Sequence, residues 1–378
     1  MSNFLVSMVV LPRSMKRETG VRASMTVDTS IVAALAAALL FGASTPFAKA
    51  LVGALPPVLV AGLLYAGSGI GLWTVRLIRD AGFEPASLSN AERPWLLGAI
   101  IAGGVVGPVL LMYGLTRTSA ADASLLLNLE AVLTALLAWI VFRENADRRI
   151  VLGMALIVAG GVVLAWPTTG TGRTSLIGAL SVTGACACWA LDNNLTRRVS
   201  ANDPLFIAGT KGLVAGITNI ALALALGARW PPPAWSAAAM AVGFVGYGVS
   251  LVLFVLALRG LGSARTGAYF SIAPFVGAAL AIVALGEPVA WPFWLAAALM
   301  AAGVWLHLTE VHEHEHVHEP LTHSHAHRHD AHHRHEHAFE WDGREPHTHE
   351  HTHEALVHRH PHYPDVHHRH EHQGRSAD

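Results

Sequence analysis

The chain has 378 residues, 53% of them hydrophobic and only 13% charged, with a formal net charge of −1. So apolar and so nearly neutral a composition excludes an ordinary soluble protein and offers no basic surface for nucleic acid. All 24 histidines lie from His307 to His372, behind a long apolar region that contains none.

In chain order, residues 1–29 come first, with an apolar stretch from Phe4 to Leu11 followed by Arg13, Lys16, Arg17 and Arg22. A signal peptide has its basic residues before its apolar run, so this order argues against one. The segment reads as a disordered cytoplasmic leader, with Met15 and Met25 as alternative starts.

Ten apolar runs follow, near 30–48, 57–77, 95–115, 120–141, 150–166, 175–196, 205–227, 235–258, 265–285 and 289–307. About 20 such residues make a helix that crosses a hydrocarbon core roughly 30 Å thick. The expected fold is an all-α polytopic membrane protein with ten transmembrane helices. Trp95, Trp139, Trp166, Trp235, Trp291 and Trp305 fall at run edges, as interfacial anchors do. Cys186 and Cys188 stand about 200° apart on one helix, without the C-x-x-C spacing of redox pairs, and read as packing residues.

Basic residues in the intervening loops alternate in number. One side receives the leader's four, then Arg76, Arg79, Arg93, Arg143, Arg148, Arg149, Arg197, Arg198, Arg259 and Arg265, fourteen in all. The other receives four: Lys49, Arg117, Arg173 and Arg229. The excess marks the cytoplasmic side, which places both termini there, in a cell inner membrane.

The chain also repeats itself. The stretch from Leu129–Glu130–Ala131 to Phe142–Arg143–Glu144 matches Ile272–Ala273–Pro274 to Leu285–Gly286–Glu287, and Ala159–Gly160 matches Ala302–Gly303. Earlier, Pro57 and Ala61–Gly62 match Pro204 and Ala208–Gly209. Each copy holds five runs, an odd number, so the second enters the membrane inverted, the architecture of secondary transporters. Two five-helix copies, each with a glutamate loop (Glu144, Glu287) and a glycine-containing last helix, resemble the EamA domain of the drug/metabolite transporter superfamily. Thr118–Ser119–Ala120–Ala121–Asp122 leading into run four and Pro274 in run nine add to the likeness. The resemblance covers about 30–307, as copies 30–166 and 175–307, and implies transport of a small solute of unspecified class. Copy one departs from it, with Glu130–Ala131 where copy two has Ala273–Pro274.

Charges inside the runs are the candidate transport residues. Glu130 lies about 15 Å into run four at 1.5 Å per residue, close to the midplane. A carboxylate there costs about 3 kcal/mol to insert, so it faces a partner or cavity and is a candidate proton or cation site. Lys211 in run seven snorkels to the cytoplasmic surface, pairs with Glu130 or meets another anionic group. Asp192 ends run six a turn before Arg197, a natural local partner. Asn128 and Thr134, with Tyr269 and Ser271 in run nine, offer further polar lining.

The tail, 308–378, alternates histidine with other residues. His312, His314, His316 and His318 are followed by His323, His325, His327, His329, His332, His333, His335 and His337. A second cluster holds His347, His349, His351, His353, His358, His360, His362, His367, His368, His370 and His372. Neutral imidazole suits Zn²⁺, Ni²⁺, Co²⁺ and Cu²⁺, and nearby glutamates can add an oxygen. Lacking an apolar core, this tail is expected to be disordered without metal. No nucleophile–base set, phosphate loop or intramembrane zinc motif suggests an enzyme, and the membrane part requires no cofactor. The expectation is a transporter of a small solute with activity or supply linked to tail-bound metal. The alternatives are a divalent transition-metal exporter and a membrane-anchored metal store or sensor without transport.

Overall fold

The computed structural model describes residues 27–80, 82, 88–142, 148–166, 175–199, 202–308, 312–318, 321–327, 347–353 and 356–362. Most of the leader, Arg143, Glu144, His329, His332, His333, His335, His337, His367, His368, His370 and His372 lie outside these residues.

The first copy runs α1 (Val27–Val52), α2 (Pro57–Arg79), α3 (Arg93–Ala99), a π-helical turn π1 (Ile100–Val106), α4 (Gly107–Thr116), α5 (Ala120–Leu126), α6 (Leu129–Phe142) and α7 (Arg148–Ala165). The second runs α8 (Leu176–Arg197), α9 (Pro204–Ala225), α10 (Pro233–Gly243), π2 (Phe244–Val249), α11 (Ser250–Phe270), α12 (Ala273–Leu285) and α13 (Trp291–Leu308). Proline opens α2, α9 and α10, where its missing N–H would be unpaired in any case. Among the described residues, eight helical stretches are long and apolar enough to span a membrane, and Ala273–Leu285 and Trp291–Leu306 are shorter apolar helices. Val283, Ile140 and Leu39 are 82%, 72% and 51% exposed, an outer surface suited to lipid rather than water.

Two interruptions recur at matching places. The π-helical turns interrupt runs three and eight. Runs four and nine break at Leu127–Asn128 and at Ser271–Ile272, between α5 and α6 and between α11 and α12. The α11 segment is not one straight helix. The rings of Phe254 and Phe270 lie 4.8 Å apart, where a straight helix would separate them by about 24 Å at 1.5 Å per residue.

Counterpart helices meet across the molecule. The closest seam joins α2 to α9. A Cβ on Gly212 would come within 2.6 Å of the Gly69 nitrogen, and one on Gly62 within 2.7 Å of the Ile220 nitrogen. Only glycine lets backbones approach so nearly. Similarly α7 packs on α13, where a Cβ on Gly303 would sit 2.6 Å from the Gly153 carbonyl oxygen. Helix α1 packs on α11 and α12, as α8 does on α4 and α6. These pairings follow the pseudo-two-fold of an inverted repeat.

Polar groups close the two ends of the bundle. At the end where α1 meets α2, Lys49 Nζ donates to the carbonyls of Leu115 (2.6 Å) and Thr118 (2.8 Å). Beside it the Glu287 carboxylate accepts the backbone N–H groups of Ala120 (2.9 Å) and Ala121 (2.8 Å), capping α5 from the other repeat. At the opposite end of α2, Arg79 pairs with Asp80 (2.7 Å) and Asp203 (2.5 Å), and Arg76 with Asp203 (3.3 Å). Asp203 also caps α9 through the Leu205 N–H.

In the tail four seven-residue strands are described, β1 (His312–His318), β2 (Leu321–His327), β3 (His347–His353) and β4 (Leu356–His362). The strands pair antiparallel as β1 with β4 and β2 with β3. The alternation of histidine with other residues is also the period-two pattern of a strand.

Candidate functional site

The break at Leu127–Asn128 puts Glu130 in the first turn of α6, at a helix N-terminus inside the bundle rather than within a continuous helix. The freed amides and the positive end of the helix dipole both favour a carboxylate there. Asn193 Nδ2 on α8 donates to Glu130 Oε1 at 2.9 Å.

One residue before Asn193, Asp192 is 8% exposed and pairs with Lys211 of α9, whose Nζ lies 2.5 and 2.7 Å from the two carboxylate oxygens. Thr196, one turn along α8, donates to Asp192 Oδ1 at 2.8 Å and accepts from Lys211 Nζ at 3.2 Å. Thus Lys211 neither snorkels nor meets Glu130, and its partner is Asp192. Asp192 in turn faces across to α9, because four residues on from it α8 presents Thr196 to the same pair. The carboxylate of Glu130, the amide of Asn193 and the Asp192–Lys211 pair form one polar run across α6, α8 and α9.

The π1 turn borders this run. A Cβ on Gly103 would overlap the Asp192 carboxylate, so the glycine makes room for the charge. The Gly103 carbonyl, freed from the regular helical ladder, accepts from Tyr65 Oη (2.8 Å) and Trp189 Nε1 (3.0 Å). Next to it, the Gly104 carbonyl accepts from Asn219 Nδ2 at 3.2 Å, and the fully buried Asn219 Oδ1 has no hydrogen-bond partner. The Tyr65 ring packs 5.6 Å from that of Tyr247, which in turn meets Phe41 at 5.8 Å. π-helical turns at such places supply unpaired carbonyls to a site.

The other expected residues divide. Asn128 is buried and donates to its own Leu125 carbonyl and to Met300 Sδ, a packing role that holds the α5–α6 break. Thr134 carries a buried hydroxyl without a hydrogen-bond partner. Tyr269 packs with the cluster of Ala33, Ala34 and Leu253 between α1 and α11. Ser271 lies at the second break, its N–H bonded to Gly267, and Pro274 opens α12. Sequence reasoning missed Tyr65, Gly103, Trp189, Asn193, Thr196 and Asn219. The Gly103–Gly104 pair inside an apolar run and the Asp–Asn–Asn triplet at 192–194 were the available signals.

A helical bundle of two inverted halves, with broken helices around buried charge, defines the class as a multi-pass membrane transporter. The chain belongs to the EamA-like transporter family, which matches residues 28–166 and again 176–309. It is 28% identical over 290 residues to an uncharacterized transporter of Methanothermobacter thermautotrophicus, covering 73% of this chain and 84% of that one. It is 27% identical over 281 residues to the uncharacterized transporter YyaM of Bacillus subtilis, covering 70% and 88%. A solved crystal structure shares the fold with a TM-score of 0.55 at 20% identity, over 74% of this chain and 96% of that one. The family match ends at residue 309, before the first tail strand.

Proposed function

We propose that this protein is a secondary transporter of a small organic solute, working by alternating access, with a cytoplasmic tail that binds divalent transition metal. The observation that carries this reading is the polar run Glu130–Asn193–Asp192–Lys211 beside two interrupted helices, with Asn193 exposed and the Asp192–Lys211 pair mostly buried. A carboxylate, an amide and an ion pair supply both signs of charge and directional hydrogen bonding, which suits a polar or zwitterionic solute. Among the described residues of the helical bundle, no group of three His, Cys, Asp or Glu side chains is placed to hold a metal ion. The run offers two carboxylates, an amide and an ammonium, which favours the organic cargo, and metal enters through the tail.

Glu130 is the coupling group in this proposal. Glu130→Gln keeps the shape and the hydrogen bond to Asn193 but removes titration. In proteoliposomes screened with amino acids and metal ions, proton-driven flux of the accepted solute should fall at least tenfold in the variant, with detergent stability unchanged. Flux with the wild-type pH dependence would remove Glu130 from the cycle.

The excess of basic residues on alternate loops supports an inner-membrane orientation with both termini cytoplasmic. Lys49 and Glu287 then cap the outer end, and the Arg79–Asp203 pair closes the inner one. A reporter active only in the cytoplasm, fused after His372, should give full signal. An exported reporter at the same point should give none, and the reverse pattern would invert the orientation.

A further inference from the structure

The two tail ladders share a single register. In β1 and β4 the partners run from His312↔His362 to His318↔Leu356, and in β2 and β3 from Leu321↔His353 to His327↔His347. The residue numbers of the two partners add to the same value in every pair of both ladders, so one register describes both. Within this register histidine stands opposite histidine six times. The outer ladder has His312↔His362, His314↔His360 and His316↔His358. The inner one has His323↔His351, His325↔His349 and His327↔His347.

The histidines change phase between the ladders, from even positions in β1 to odd positions in β2, and the facing arm changes phase at the same place. A chance alternation would not keep both arms matched. The sequence explains the match, because the tail is a tandem repeat in which His312–His337 recurs as His347–His372, shifted by 35 residues. His318–Glu319 matches His353–Glu354, Leu321 matches Leu356, and the six residues His332–His337 reappear unchanged as His367–His372. Two copies of one unit laid antiparallel about a local two-fold must repeat any phase change on both arms.

Resting on the metal-binding reading of the tail, we infer that the two repeats close on each other around divalent transition metal, each ion being shared by histidines of opposite strands. Residues directly opposite in an antiparallel pair have Cα atoms about 4.5–5.5 Å apart, and successive rungs on one face are about 7 Å apart. Two imidazoles from one rung can therefore take one Zn²⁺ at about 2.0–2.1 Å per nitrogen, with water, or a histidine of the next rung, completing four ligands. A two-stranded ribbon is marginal in water without a core to cover it. Metal between the strands supplies the missing cohesion, as in other small metal-folded units.

The alternative is local chelation, in which each ion is held by neighbours such as His312 and His314 on one strand. Zn²⁺ bound per chain, measured on the purified full-length protein at pH 7.5, separates the two. Three variants are compared with wild type: His312→Ala/His314→Ala/His316→Ala, His358→Ala/His360→Ala/His362→Ala, and all six together. Shared rungs predict that either triple variant loses the whole contribution of the outer ladder and that the sextuple variant loses no more. Local chelation predicts that each triple variant loses half of what the sextuple loses, and this result would overturn the inference while leaving the tail a metal binder. No Zn²⁺ on the wild-type protein would overturn both.

Register gives a second readout that leaves every histidine in place. Val317 stands opposite Val357, whereas Thr352 pairs with Thr322 on the inner ladder. A short bismaleimide should join Val317→Cys to Val357→Cys with Zn²⁺ present, with at least a fivefold drop after a chelator is added. The pair Val317→Cys and Thr352→Cys should not join. Equal joining of both pairs, or joining indifferent to Zn²⁺, would reject the paired repeats.

Discussion

Gly212→Val is expected to yield no monodisperse protein on size-exclusion chromatography in detergent. The seam between α2 and α9 has no room for any side chain at this position. Even the first carbon of a side chain would lie 2.6 Å from the Gly69 nitrogen and 2.8 Å from its Cα, and neither backbone atom can swing aside as a flexible side chain would. The helices would have to separate along a seam that also holds Gly62, Gly69 and Gly216, at a cost of about 3 kcal/mol or more. Gly267→Ala is the control. This glycine lies in α11, and a methyl carbon added to it would meet nothing within 4 Å, so the variant should elute and melt as wild type. A well-behaved Gly212→Val protein would mean that the seam is looser than its backbone contacts indicate.

Asp192→Ala is expected to lower stability steeply, by about 3–5 kcal/mol, because it strands the Lys211 ammonium in a low-dielectric setting. Both side chains of the pair are only 11% exposed, so water cannot easily replace the lost partner. Thermal unfolding in detergent should show a large fall in midpoint. Asp192→Asn with Lys211→Met removes both charges and should recover most of that fall, since a buried pair replaced as a unit is often near neutral. Transport should stay lost in the double variant if the pair contacts solute. A double variant as unstable as the single one would point to packing rather than charge.

The span pattern, its inversion and the family resemblance were legible in the sequence because lipid imposes long apolar runs and few charges on every crossing helix. The breaks were only half legible. Pro274 flags the one in copy two, but copy one breaks at Leu127–Asn128 without proline, held by the Asn128 amide folding back onto the Leu125 carbonyl. Partner choice was not legible at all. Periodicity places Lys211 on a helix, yet only the packing of α8 and α9 on the same π1 turn brings it beside Asp192 instead of Glu130. In the tail, alternation was visible, but register is a long-range property that composition does not display.

The glycine seam also bears on how the two halves relate. Its two helices are the same span of the two copies, so the contact is isologous, with one surface patch meeting its own counterpart about a pseudo-two-fold axis. The geometry is that of a two-fold dimer whose subunits run in opposite directions, held in one chain. Symmetry alone would leave either half free to face either way, and loops as uneven as fourteen basic residues against four favour one orientation for each.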